Sequence, residues 1–234
     1  TKTMPANSAT IIEHSFTITD PEKILPPMKL EVAVDSPVGS LNIRDLVLPI
    51  AYRRIFSLSQ TDDSITIDGK AAEPAWSSAD AIGKFVDGGG KYQNPDALTT
   101  VKLLRDNTKI YVMVNSIRSN NNRPIIGRSI NRSDHVMIYL ADNSQELKYY
   151  IDAKGRTQSE PNLGQSAKAA VQINENQLNW EIALPLQAFI KNDETIEQPL
   201  VLNIIEHRGN KDFYLSPTFG NKPTRHTGGQ LKFK

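Results

Sequence analysis

Leu178, Trp180, Ile182 and Leu184 alternate with Asn179, Glu181 and Ala183 in the cleanest period-of-two pattern of the chain. Successive side chains of a β-strand point to opposite faces, so such a run can bury one apolar set only as a strand. Ala169–Asn174 precedes it across Glu175-Asn176, which predicts a hairpin. The same signal recurs along the chain. Val101–Arg105 and Lys109–Ile117 flank the turn-prone Asp106-Asn107-Thr108 and predict a second hairpin. In its second arm Ile110, Val112 and Val114 share one face and Tyr111 and Met113 the other, the pattern of a strand covered on both sides. His135–Leu140 sets Val136, Ile138 and Leu140 against His135, Met137 and Tyr139. Ala141-Asp142-Asn143-Ser144 then turns the chain into Glu146–Asp152, which Ala153-Lys154-Gly155 closes. Leu200–Glu206 and Leu231–Phe233 complete the set, and only two short segments read as helical turns. Many short strands with almost no helix predict an all-β, antiparallel β-sandwich.

The sandwich is expected to open at Ile65-Thr66-Ile67-Asp68-Gly69-Lys70-Ala71-Ala72-Glu73-Pro74-Ala75-Trp76. Asp68-Gly69 is a strong turn pair, and Pro74 pre-sets a first helical turn that delivers Trp76. Residues 61–234 are therefore read as the main domain. Residues 1–60 hold strand-like runs at Ala9–Thr19, Met28–Val34 and Leu41–Ile50, interrupted by Pro26-Pro27 and by the turn Ser36-Pro37-Val38-Gly39. So few strands bury little apolar surface alone. The segment is read as the end of a preceding β-sandwich within a larger protein, with strands packing onto the main domain as the alternative. Ser116–Ser133 is read as one long polar loop, a length commonly tied to function.

Charge and composition exclude several chemistries. Twenty-seven Lys and Arg nearly cancel 26 Asp and Glu, which removes the basic footprint of a nucleic-acid binder. The absence of cysteine excludes disulfides, thiolate catalysis and Cys-ligated metals. No apolar run reaches the length of a membrane-spanning helix. There is no GxSxG elbow, and Gly88-Gly89-Gly90-Lys91 lacks the spacing of a phosphate-binding loop. His14, His135, His207 and His226 are too scattered for a zinc motif. No cofactor is expected. A structural calcium ion held by Asp62, Asp63 and Asp68 stays open beside the reading of these residues as solvated turn acids. Trp76 and Trp180 are expected in the core.

One family joins these pieces in order. The series runs Ile67-Asp68-Gly69, Glu73, Trp76, the Val101–Asp106 and Ile110–Val114 hairpin, and Asp134 ahead of an apolar strand. It continues with Tyr149–Gly155, Asn179–Pro185, Leu202-Asn203-Ile204, Leu215-Ser216-Pro217 and Gly229-Gln230-Leu231. This resembles the family 9 carbohydrate-binding modules and their DOMON-like relatives over residues 61–234. The resemblance implies a non-catalytic sugar-binding sandwich, appended to a secreted glycoside hydrolase or other polysaccharide-processing protein. The implied partners are carbohydrate and other domains of the same polypeptide, and the implied location is extracellular or periplasmic. Well-known members hold the sugar between two tryptophans. The matching clamp positions here are Asn131 and one near Lys222, while the family's glutamate, arginine and glutamine fall at Met137, about Tyr150 and about Ile205. Candidate ligand-binding residues are thus Asn131, Arg132, Tyr139, Tyr150, Tyr214, Phe219, Lys222 and His226, with Arg225 beside the last. Three alternatives stand alongside: an interdomain sandwich without a sugar site, a glycosidase, and a haem-binding relative using His135 with Met113 or Met137.

Overall fold

The computed structural model describes the backbone of residues 28–36 and 39–48, and then residues 54–83, 85–87, 98–119, 123–189, 200–216, 218, 223 and 228–233. The chain divides into two compact units, residues 1–50 and 51–234. In the first, β1 (Met28–Ser36) and β2 (Gly39–Leu48) form an antiparallel hairpin from Met28 opposite Leu48 to Ser36 opposite Gly39. Its register slips between Leu30 and Val32. The strand expected at Ala9–Thr19 lies outside the described residues.

The larger unit holds β3 (Ile55–Gln60), the one-turn helix α1 (Pro74–Ser78), β4 (Thr99–Arg105) and β5 (Lys109–Ile117). Then come β6 (His135–Ala141), β7 (Glu146–Asp152), β8 (Thr157–Glu160), β9 (Lys168–Asn174) and β10 (Gln177–Pro185). The last are β11 (Val201–Arg208), β12 (Lys211–Tyr214) and β13 (Gly229–Phe233). Their order is β8-β7-β6-β11-β13-β3-β4-β5-β10-β9, with β12 sharing an edge of β11 with β13.

Two antiparallel layers face each other across one core. Val136, Ile138, Leu140, Ile151, Leu202 and Ile204 from β6, β7 and β11 pack against Val101, Val112, Val114, Leu178, Trp180 and Ile182 from β4, β5 and β10. The layers are joined, which the antiparallel expectation does not include. β3 pairs in parallel with β13 through its first four residues and with β4 through its last two, so the sheet continues from one layer to the other. Each parallel pair is possible because long chain segments separate its members. β3 lies in the larger unit although it precedes Thr61, because Phe56 and Leu58 are core residues.

The outer face of the β4-β5-β10 layer is closed by the Ile65–Trp76 corner. Trp76, Ala75 and Ala79 cover Leu104, Tyr111, Met113 and Ala183, which explains the two-sided apolar pattern of β5. Glu181 fastens the corner from β10. Its Oε2 accepts hydrogen bonds from the backbone N–H of Gly69 (2.7 Å) and Asp68 (3.1 Å), and its Oε1 accepts the Trp76 indole N–H at 2.9 Å. Gly69 has φ +85°, and a Cβ there would lie 2.9 Å from the backbone of Val171 and Gln172 in β9. Only glycine suits both demands.

Candidate functional site

The other layer presents a different outer face. On β6 Val136, Ile138 and Leu140 point into the core, so His135, Met137 and Tyr139 point outward. Register carries this alternation across five strands. Met137 lies opposite Tyr150 of β7 and Ile205 of β11, Tyr150 opposite Gln158 of β8, and Ile205 opposite Tyr214 of β12. Gln158, Tyr150, Met137, Ile205 and Tyr214 thus form one transverse row. Met137, Tyr150 and Ile205 are the positions onto which the resemblance carries the family's polar contacts, and here they are consecutive cross-strand neighbours. Tyr150, Met137 and Tyr214 are half-buried, whereas Ile205 and Tyr139 are buried. Tyr139 belongs to the floor beneath the row, packed with Ala141 and Ile205.

A polar row runs beside the apolar one. His135 lies opposite Asp152 on β7 and His207 on β11, and His207 lies opposite Asp212 on β12. The two imidazoles stack with centroids 4.7 Å apart, and Tyr150 tilts against His135 at 6.2 Å. His135 Nδ1 is 2.8 Å from the Ser133 carbonyl and His207 Nδ1 is 2.6 Å from an Asp212 carboxylate oxygen. The hydrogen bond to Asp212 raises the pKa of His207 and lowers that of Asp212, so this pair favours the charged forms. Burial lowers the pKa of His135 and favours its neutral form. Burial likewise raises the phenol pKa values of Tyr150 and Tyr214, which stay protonated donors at neutral pH.

The loop beside this row is held by buried charge. Asp134, just before β6, accepts from Arg118 Nη1 and the Ile125 N–H through Oδ2, and from the Gly209 N–H through Oδ1. Arg118 is buried, which corrects the reading of Ser116–Ser133 as one polar loop: Ser116 and Ile117 end β5, and Arg118 is an internal anchor. Arg156, bound to Asp152, donates to the carbonyls of Gly127 and Arg128 and to Ser133 Oγ. Asn131 and Arg132 ride on the 3₁₀ turn Ile130–Arg132 that these bonds support, and both are exposed.

Across the face Asn203 donates to the Ser216 carbonyl and accepts the Ser216 N–H, both at 2.9 Å, which explains why Leu202-Asn203-Ile204 and Leu215-Ser216 occur together. Tyr214 ends the strand β12, with a backbone bridge to Val86. Phe219, Lys222, Arg225 and His226 lie outside the described residues.

Sequence reasoning did not join His135, His207 and Asp212. The signal was present as two outward positions on alternating strands, but their pairing depends on the β6–β11 register. Met113 packs on the other layer with Trp76, away from the Met137 face. Glu206 and Glu181 are buried carboxylates already supplied with donors, Glu206 by Thr99, Ser116 and Arg208. Asp68 binds the Lys70 N–H and ammonium. Among the described residues no group of three or more His, Asp or Glu is placed to hold a metal ion. No helix among them is long and apolar enough to cross a membrane.

The carbohydrate family 9 binding domain-like profile matches residues 67–211. A family 9 carbohydrate-binding module from Caldicellulosiruptor kristjanssonii in complex with glucose superposes with a TM-score of 0.60 at 13% identity, covering 77% of this chain and 96% of that module. The structure of a family 9 module from the same organism in complex with cellotriose gives 0.58 at 13% identity, over 78% and 93% of the two chains. No curated protein matches the chain. A profile match across more than half of the residues, on the sandwich just described, shows that this chain belongs to the carbohydrate family 9 binding domain-like family.

Proposed function

We propose that this chain binds carbohydrate on the outer face of β8-β7-β6-β11-β12, as a non-catalytic module of a larger extracellular polysaccharide-processing protein. The observation that carries the reading is the single row Tyr150–Met137–Ile205–Tyr214, in which the family-matched positions meet on one sheet face. Two half-buried tyrosines supply ring faces for the apolar side of a pyranose. The Tyr150 hydroxyl supplies a donor, whereas the Tyr214 hydroxyl points its hydrogen at Asp212 Oδ2, 3.5 Å away. Asn131 and Arg132 stand on the adjoining turn as amide and guanidinium donors. Glucose and cellotriose are the sugars held by the structural neighbours, so β-glucans come first among the ligands to try.

Affinity electrophoresis in gels carrying hydroxyethylcellulose, xylan or polygalacturonate tests the reading. Wild-type protein is expected to be retarded by at least one of them. Tyr150→Ala is expected to weaken that retardation about tenfold, the loss of one good stacking contact. The row also contains Met137 and Ile205, where hydrogen-bonding groups would serve a sugar better, and this favours a second reading as a face for a neighbouring domain. A folded wild-type protein with no retardation on any gel would establish that second reading over the first.

A further inference from the structure

We infer that His135 is a ligand-binding residue of this face, accepting a hydrogen bond from a hydroxyl of a neutral sugar through Nε2. The inference rests on the carbohydrate reading above and names a contact which that reading lacks. Its first support is tautomeric. A carbonyl can only accept, so the 2.8 Å approach of Nδ1 to the Ser133 carbonyl places the hydrogen of neutral His135 on Nδ1. Nε2 is then a lone-pair acceptor. It has no hydrogen-bond partner among the described residues and is not sealed from solvent.

The second support is position. His135 stands one step along β6 from Met137 on the same face, with Tyr150 tilted against it at 6.2 Å. A sugar ring laid on Tyr150 would carry its hydroxyls toward that nitrogen. The third is rigidity. His207 stacks beside His135 from the neighbouring strand at 4.7 Å, and Asp212 holds His207 in turn, so the ring is oriented before any ligand arrives.

The surroundings set the sign of a pH effect. From β7 the facing groups are Tyr150 and Asp152, the latter bound by Arg156. From β11 comes His207, from β12 Asp212, and from the preceding loop Asp134, bound by Arg118. Asp152 and Asp134 are each neutralised by their own arginine. Of the His207–Asp212 pair the imidazole is the nearer member, stacked on His135 at 4.7 Å with Asp212 one strand further away. A proton on His135 would therefore meet the charge of His207 first, and it would convert the acceptor Nε2 into a donor. A sugar covering the ring also removes water from it, which disfavours the charged form further. Binding is linked to the neutral imidazole and weakens as the pH falls through the His135 pKa.

Affinity electrophoresis with the same three polysaccharides, run between about pH 7.5 and about pH 4.5, tests this. The expected result is retardation of wild-type protein that falls about tenfold toward the acid end. His135→Phe keeps a ring and removes the acceptor, and should lose about tenfold at every pH. His135→Gln keeps an acceptor that does not titrate, and should bind with a flat pH profile. Wild-type retardation that is equal across the range, or a folded His135→Phe protein that binds like wild type, overturns the inference and leaves the carbohydrate reading standing. No retardation of wild type on any gel at any pH overturns both.

Discussion

At the scale of single residues, Glu181 decides more than its solvated neighbours. It is fully buried, yet it faces three donors from a segment more than a hundred residues away. A glutamine in its place can offer only one oxygen, leaving the Trp76 N–H or the Gly69 and Asp68 N–H groups facing an amide NH₂. Glu181→Gln should therefore cost about 1–3 kcal/mol, read as a lower urea midpoint with an unchanged m-value. Burial also raises the pKa of Glu181, with Glu73 adding repulsion. The folded state holds that proton more tightly than the unfolded chain. Glu181 therefore contributes a loss of stability as the pH rises from the ordinary glutamate range through its raised value, and Glu181→Gln should remove that component. Asp212 works in the opposite sense, its lowered pKa making its contribution disappear as the pH falls. Asp212→Asn should drop the His207 pKa, since the burial that remains favours the neutral ring, and NMR titration of the imidazole signals would show it.

At the scale of elements, the Ile65–Trp76 corner is a packing element that closes the outer face of the β4-β5-β10 layer. Pro74 at the start of α1 and the turn at Gly69 bring Trp76 down onto Tyr111 and Met113. Trp76→Ala removes a large buried side chain and should destabilise by about 3–5 kcal/mol. Gly69→Ala, at a positive φ and against the β9 backbone, should lower the melting temperature as well, with a cost above about 1 kcal/mol. Most strands were legible because alternation and turn residues are local signals. β3, β8 and β12 were not. Thr157–Glu160 and Lys211–Tyr214 are short and polar edge segments that become strands by pairing with β7 and β11. Their regular structure comes from the neighbour, not from an apolar face of their own.

At the scale of the molecule, the joined sheet makes β3 indispensable. It pairs with β13 on one side and with β4 on the other, and it places Phe56 and Leu58 in the common core. A chain starting at Ala51 should melt cooperatively with a β-rich circular dichroism spectrum. One starting at Thr61 should not, because losing two core side chains at about 2–5 kcal/mol each consumes most of a typical domain's stability.

The amino-acid sequence by itself determined the strand alternation, the hairpins, the core positions of both tryptophans and the family. These follow from residue periodicity and turn chemistry, which act over a few neighbours. Only the tertiary structure decided which outward residues meet. Met137, Tyr150, Ile205 and Tyr214 come from four separate strands, and His135 and His207 are seventy-two positions apart (207 minus 135) until register sets them opposite one another. Register is fixed by burying the other face of each strand in a shared core, and a slip of one residue would turn the whole row inward. The proposed binding face is thus a consequence of packing on the side of the sheet that it does not occupy.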